Sequence, residues 1–199
     1  MKFWGVALLL LPGAMAQAQT LQGESLVKAL RQGGYVIVMR HASSPRQPPS
    51  KEAANPDNPK AERQLDEEGR RTAAAMGKAL RDLKIPVGEV LVSPTYRAME
   101  TAQYAGFPNP RPTPELGENG QNMSGGTEAQ AAWLRKRVTE LPQGTNTILI
   151  THAPNLTRAF PQEAAGAADG EALIFGPDRK GGARLAARVK IEEWPKFAR

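Results

Sequence analysis

The chain contains only two histidines, and each directly follows a run of apolar residues. His41 closes Tyr35-Val36-Ile37-Val38-Met39-Arg40, and His152 closes Thr147-Ile148-Leu149-Ile150-Thr151. A third apolar run, Val90-Leu91-Val92, leads into Ser93-Pro94-Thr95-Tyr96-Arg97. Imidazole is the side chain that changes charge near neutral pH and can act as nucleophile, acid or base. The guanidinium fork matches pairs of phosphate oxygens. If Arg40, His41, Arg97 and His152 converge, they form a pocket for a dianionic phosphoryl group. The bland alternative is that each Arg or His merely caps a strand.

The elements around these residues favour convergence. Short, β-branched apolar runs bounded by glycine or polar residues read as strands buried on both faces. In open α/β sheets the ligand crevice lies at the carboxyl ends of such strands, where all four residues fall. Leu21 to Arg31 reads as a short amphipathic helix ending at Gln32-Gly33-Gly34. A second helix opens with Asp66 as N-cap, repeats Ala73, Met76, Gly77, Leu80 and Leu83 on one face, and stops at Ile85-Pro86. Ser93-Pro94-Thr95 reads as a helix entry with Ser93 capping, which places Arg97 in the first turn. A cation there opposes the helix dipole, so anion binding explains Arg97 better than helix stability does.

Further on, Phe107 to Asn122 reads as loop and carries Glu115-Leu116-Gly117-Glu118. Thr127 caps a helix running to Glu140, and Ala172–Phe175 and Leu185–Ile191 read as strands. The last alternates as an edge strand does. Residues 43–64 form a flexible, basic, proline-rich loop with Arg46, Lys51, Lys60 and Arg63. It reads equally as a flap over the site or as a solvated loop. With no repeat and no linker, the expectation is one α/β domain, a mostly parallel sheet between helical layers.

Composition narrows the class. A chain of 199 residues with 40% hydrophobic and 23% charged content is long enough and apolar enough for one proper core. Residues 1–18 read as a signal peptide: Lys2, an apolar Phe3–Leu11 too short to span a bilayer, then cleavage after Ala16 or Ala18. The expected address is periplasmic or secreted, with no stable membrane anchor after cleavage and the folded domain at 19–199. Absence of cysteine excludes disulfides, thiolate metal sites and cysteine nucleophiles. A net charge of +6 suggests an anionic partner. Nucleic acid is not expected, because no aromatic-basic platform or recognition-helix motif accompanies the charge.

At this point the residues resemble the histidine phosphatase superfamily, in its phosphoglycerate mutase-like branch. Arg40-His41-Ala42 is similar to that family's Arg-His-Gly signature, with alanine in the glycine place. Ser93-Pro94-Thr95-Tyr96-Arg97-Ala98-Met99-Glu100-Thr101-Ala102 looks like its Ser-Pro-x-x-Arg-Ala-x-x-Thr-Ala block, and His152 like its second histidine. The resemblance implies a phosphoglycerate mutase-like three-layer fold and a phosphomonoesterase acting through phosphohistidine on an anionic phosphorylated substrate. It implies no metal and no cofactor.

In that scheme His41 is the nucleophile, neutral because neighbouring cations disfavour its charged form. Arg40, Arg97 and His152 hold the phosphoryl oxygens. The resemblance also implies a proton donor in a Leu-x-Glu context, which makes Glu118 the first choice and Glu115 the second. Arg46 and Asn155 are added as substrate-binding candidates, although Asn155 reads equally as the N-cap of the next helix. An aspartate soon after the second histidine would mark the acid phosphatase branch. Ala153-Pro154-Asn155 stands there instead. The alternative function is a non-catalytic phosphate-binding module of the same fold.

Overall fold

The computed structural model describes residues 20–118, 127–178 and 181–199. The expected signal segment at 1–18 and the end of the expected loop at 119–122 lie outside the described residues. Among the described residues there are six strands: β1 (Tyr35–Arg40), β2 (Val87–Val92), β3 (Arg111–Pro112), β4 (Asn146–Thr151), β5 (Ala172–Pro177) and β6 (Ala183–Val189). The helices are α1 (Gly23–Gln32), α2 (Glu67–Asp82), α3 (Tyr96–Ala105), α4 (Glu128–Arg137), α5 (Ala153–Ala159) and α6 (Trp194–Phe197).

The strands form one sheet in the order β3-β2-β4-β1-β5-β6. β3, β2, β4 and β1 are mutually parallel, while β5 runs antiparallel to β1 and β6 antiparallel to β5. β6 is an edge strand, as its alternation implies. Side-chain alternation along the central strands supplies both faces. Ile37 and Met39 of β1, with Ile148 and Ile150 of β4, pack beneath α1, α2, α3 and α6 through Leu26, Met76, Ala102 and Trp194. Val36, Val38 and Leu149 pack on the opposite face against Leu134 of α4 and Leu156 of α5. Burying one such aliphatic side chain is worth about 1.5–3 kcal/mol, so the two central strands contribute to both cores at once.

Two glycines of α2 allow close backbone approach. A Cβ at Gly77 would lie 1.8 Å from the Ala105 carbonyl oxygen of α3, and one at Gly69 would lie 2.1 Å from that of Ser43. Asp66 caps α2 as expected, accepting from the Gly69 backbone N–H. Thr127 caps α4 in a reciprocal capping box with Gln130.

Several elements differ from the sequence reading. The N-cap of α3 is Thr95, not Ser93; Ser93 lies two residues earlier and its hydroxyl bonds elsewhere. Asn155 is not a cap either. His152 occupies the N-cap position of α5, and Asn155 lies inside that helix, buried. β3 and a 3-10 turn at Pro114–Leu116 fall within the expected loop, because β2 recruits a two-residue partner there. α4 ends at Arg137, short of Glu140.

Residues 43–64 contain no strand or helix, yet side chains tie them down. Buried Glu100 of α3 accepts from Asn55 Nδ2 at 3.0 Å and from the Leu65 backbone N–H at 2.6 Å. Glu62 accepts from the Tyr96 N–H at 3.0 Å. Asn58, also buried, closes the segment on itself through Glu62.

Candidate active site

Strand register decides which side chains meet. Arg40 of β1 is paired with Thr151 of β4, and Val92 of β2 lies one step short, beside Ile150. The ladder continues past the strand ends, with His41 N–H donating to Thr151 O and Ser93 N–H to Ile150 O. His41, His152 and Ser93 therefore emerge side by side at one edge. Arg97 arrives from the first turn of α3.

The two imidazoles lie with ring centroids 5.3 Å apart, edge to face. His41 Nδ1 is 2.8 Å from the carbonyl oxygen of Ala42. A carbonyl can only accept, so this contact assigns the proton to Nδ1 and leaves Nε2 with a free lone pair. Consistently, Arg97 Nε donates to His41 Nε2 at 3.2 Å. Arg97 Nη2 lies 3.2 Å from His152 Nδ1 and 2.5 Å from Glu118 Oε1. That same Glu118 oxygen is 3.2 Å from His152 Nδ1. Arg97 thus bridges both histidines and the carboxylate while only 4% exposed.

Arg40 is held at the rim. Its Nη2 pairs with Asp169 at 2.7 Å, and its Nη1 donates to Ala167 O. Thr101 braces the base of the site: its hydroxyl donates to Arg97 O and accepts from Ala42 N–H.

The electrostatics keep both imidazoles neutral. The His41 pKa is pushed well below the ordinary histidine value, first by burial and then by His152, with Arg97 and Arg40 adding to it. The Ala42 carbonyl opposes that shift. His152 is likewise lowered, by burial first and then by Arg97, Arg63 and Arg40. A carboxylate within reach of His152 does not overturn this, because Arg97 already claims it at the shorter distance.

The structure thus brings together five expected residues: Arg40, His41, Arg97, His152 and Glu118. Glu115 lies in the 3-10 turn and makes no contact with these five among the described residues. Arg46 is exposed on the 43–64 segment and likewise makes none. The cation that this segment directs toward the site is Arg63. Its Nε donates to Pro45 O and its Nη2 to Ser44 O. Burial and the field of Arg97 lower its pKa, with Glu118 opposing. Asn155 is buried beneath the site and donates to the backbone at Leu116 and Gly117.

Ser93, Thr101, Arg63 and Asp169 were not singled out for the site from sequence. Ser93 and Thr101 lie within the Ser-Pro-x-x-Arg-Ala-x-x-Thr-Ala block, which was the available signal. Asp169, in a stretch rich in glycine and alanine, offered none.

Comparison with known proteins adds the family. The sequence model of the histidine phosphatase superfamily (branch 1) matches residues 36–146. No curated protein sequence matches the chain. Among solved structures, the protein histidine phosphatase SixA complexed with tungstate superposes with a TM-score of 0.56 at 20% identity, covering 80% of this chain and 98% of that one. A phosphoserine phosphatase from Entamoeba histolytica, a variant in complex with phosphoserine, gives a TM-score of 0.53 at 12% identity over 79% of this chain and 98% of that one. At such identities the likeness is one of fold, a mixed, mostly parallel sheet between helical layers.

Proposed function

The chain belongs to branch 1 of the histidine phosphatase superfamily, and from that premise we propose that it is a phosphomonoesterase working through a phosphohistidine at His41 without a metal ion. The observation that carries this reading is the tautomer lock. The bond from His41 Nδ1 to Ala42 O leaves Nε2 as an unprotonated nucleophile, and the lowered pKa keeps it so at neutral pH.

In the proposed reaction Arg40, Arg97 and His152 bind the phosphoryl oxygens and stabilise charge in the transition state. His41 Nε2 attacks phosphorus as the ester P–O bond breaks, and the departing oxygen takes a proton from Glu118. Arg97 leaves Glu118 for the phosphate in this step. Water then attacks the phosphohistidine, giving its proton back to Glu118, and the P–N bond breaks to restore His41 and release phosphate.

The substrate reading is a phosphorylated envelope component or small molecule, supported by the basic charge and by the signal-like residues 1–18. No helix among the described residues is long and apolar enough to cross a membrane.

The test is to incubate the protein with a ³²P-labelled monoester in chelator, quench in alkali, and assay for acid-labile, base-stable label. Label on the wild type and none on His41→Ala is the expected result. A folded wild type that binds phosphate but neither turns over nor labels would overturn it in favour of a binding module.

A further inference from the structure

Leu116 and Gly117, the two residues before Glu118, are held by side chains to a degree unusual for loop backbone. Leu116 O accepts from Thr151 Oγ1 at 2.8 Å and from Asn155 Nδ2 at 3.2 Å. Gly117 O accepts from Asn155 Nδ2 at 2.9 Å and from Gln130 Nε2 at 2.9 Å. Thr151 Oγ1 also accepts from Asn155 Nδ2 at 3.0 Å. All three donor residues are buried, with Thr151 0%, Asn155 1% and Gln130 7% exposed. Loop carbonyls are ordinarily satisfied by water or by backbone. Here three side chains from three different elements are spent on two of them.

The origin of the donors matters as much as their number. Thr151 immediately precedes His152 at the end of β4, and Asn155 follows it by three residues in α5. Gln130 is oriented from its other end, because its Oε1 accepts from the Thr127 backbone N–H in the α4 capping box. The strand-to-helix junction that carries His152 is thus bonded directly to the backbone that carries Glu118. One residue beyond the clamp, Glu118 Oε1 meets His152 Nδ1 and Arg97 Nη2. A carboxyl on an unclamped loop would lose part of the proximity on which proton transfer depends.

We propose that Asn155, Thr151 and Gln130 are positioning residues that set the Glu118 carboxyl at the leaving-group side of the site, a role that rests on the phosphomonoesterase reading. Their contribution is then specific to substrates whose leaving oxygen needs a proton. The clamp makes the enzyme competent for alkyl phosphates, whose alkoxides are poor leaving groups. In the phosphorylation step it matters little for aryl phosphates with stable phenolates.

The experiment compares β-glycerophosphate with p-nitrophenyl phosphate for wild type, Asn155→Ala, Thr151→Val and Gln130→Leu, with Glu118→Gln as reference. General acids contribute about 10²–10⁴-fold, so losing part of the positioning should lower kcat/KM on β-glycerophosphate about tenfold. The kcat/KM for p-nitrophenyl phosphate, which excludes the later step in which Glu118 takes the water proton, should stay near wild type for the three positioning variants, and Glu118→Gln should lower kcat/KM on β-glycerophosphate more strongly than any of them. In the Glu118→Gln background, Asn155→Ala should add no further loss on the alkyl substrate, because the group it positions is gone.

Thr151→Val, nearly isosteric, guards against a folding defect, and thermal melts accompany each variant. Equal losses on both substrates, or none on either, would overturn the proposal. If the wild type still forms the phosphohistidine, that result defeats the positioning role alone. If the wild type turns over neither substrate, the functional reading fails and this inference fails with it.

Discussion

Ser93 Oγ lies 2.7 Å from His152 Nε2, with both side chains buried. The same hydroxyl accepts from the Thr95 backbone N–H at 3.3 Å and lies 3.1 Å from Thr95 Oγ1, which fixes its place. Held at Nε2 in this way, the ring presents Nδ1 to Arg97 Nη2 and Glu118 Oε1, each at 3.2 Å. Ser93 is therefore an orienting residue for the second histidine. Ser93→Ala leaves that buried ring nitrogen only the longer 3.4 Å contact with Thr95 Oγ1, at a cost of about 1–3 kcal/mol. The expected outcome is a lower Tm with kcat/KM reduced about tenfold, and Ser93→Thr, which keeps the hydroxyl, should recover much of both.

Arg97 is the residue for which a conservative change should fail. Its Nε and Nη2 reach His41, His152 and Glu118 at once, which a single ammonium on a flexible stem cannot reproduce. Arg97→Lys should fold and should lose about 10²–10³-fold in kcat, the scale for removing one preorganised transition-state donor. Steady-state kinetics with circular dichroism as the folding control checks this.

The 43–64 segment separates two arginines. Arg63 is anchored by Ser44 O and Pro45 O and interacts with Arg97 and Glu118, whereas Arg46 faces solvent. Arg63→Ala should raise KM for a phosphomonoester several-fold, and Arg46→Ala should leave it near wild type. Measuring KM for the pair side by side decides between them, and a larger effect from Arg46 would contradict this assignment.

Stability should fall on the acid side. Both imidazoles have folded-state pKa values below the ordinary one, chiefly through burial. Below about pH 6.5 the unfolded chain takes protons that the folded chain refuses, so the stabilisation is complete above that pH and is lost as pH falls toward the lowered values. Each neutral histidine adds a slope of about 1.4 kcal/mol per pH unit in that window. Urea melts from pH 7 to pH 5 should show the decline, and it should be shallower in His41→Asn, which removes one of the two titrating groups.

The contact between α2 and α3 predicts a strong effect far from the chemistry. Gly77→Ala drives a methyl into the Ala105 carbonyl, backbone against which nothing can yield without moving a helix. Overpacking of this kind costs about 1–3 kcal/mol or more. A depressed Tm, with kcat unchanged at low temperature, is the expected signature.

Much of this molecule is decided locally. Runs such as Tyr35–Met39 and Thr147–Thr151 read as buried strands through their length and β-branched content, which periodicity alone does not distinguish from a buried helical turn. Asp66 and Thr127 announce their helices because a cap needs only a side-chain oxygen and the N–H groups beside it. Local pattern also places two histidines and two arginines at strand ends or in the turn that follows, and the block around Arg97 carries the family resemblance.

Other features depended on contacts between residues far apart in the chain. Ser93 reads as a cap because serine before proline is a local signal, but its hydroxyl is claimed by His152, 59 positions away, so Thr95 takes the cap position. Arg46 and Arg63 are equivalent in composition; the folding of 43–64 against Glu100 and Tyr96 turns one toward the site and leaves the other in water. Glu118 lies three residues beyond Glu115, and its contacts with Arg97 and His152 distinguish the two. Hydrogen-bond geometry is set by strand register and helix packing, and these depend on the whole sheet. Local pattern establishes which chemical groups are present and which strand ends carry them; the packing of the whole sheet sets which of them touch.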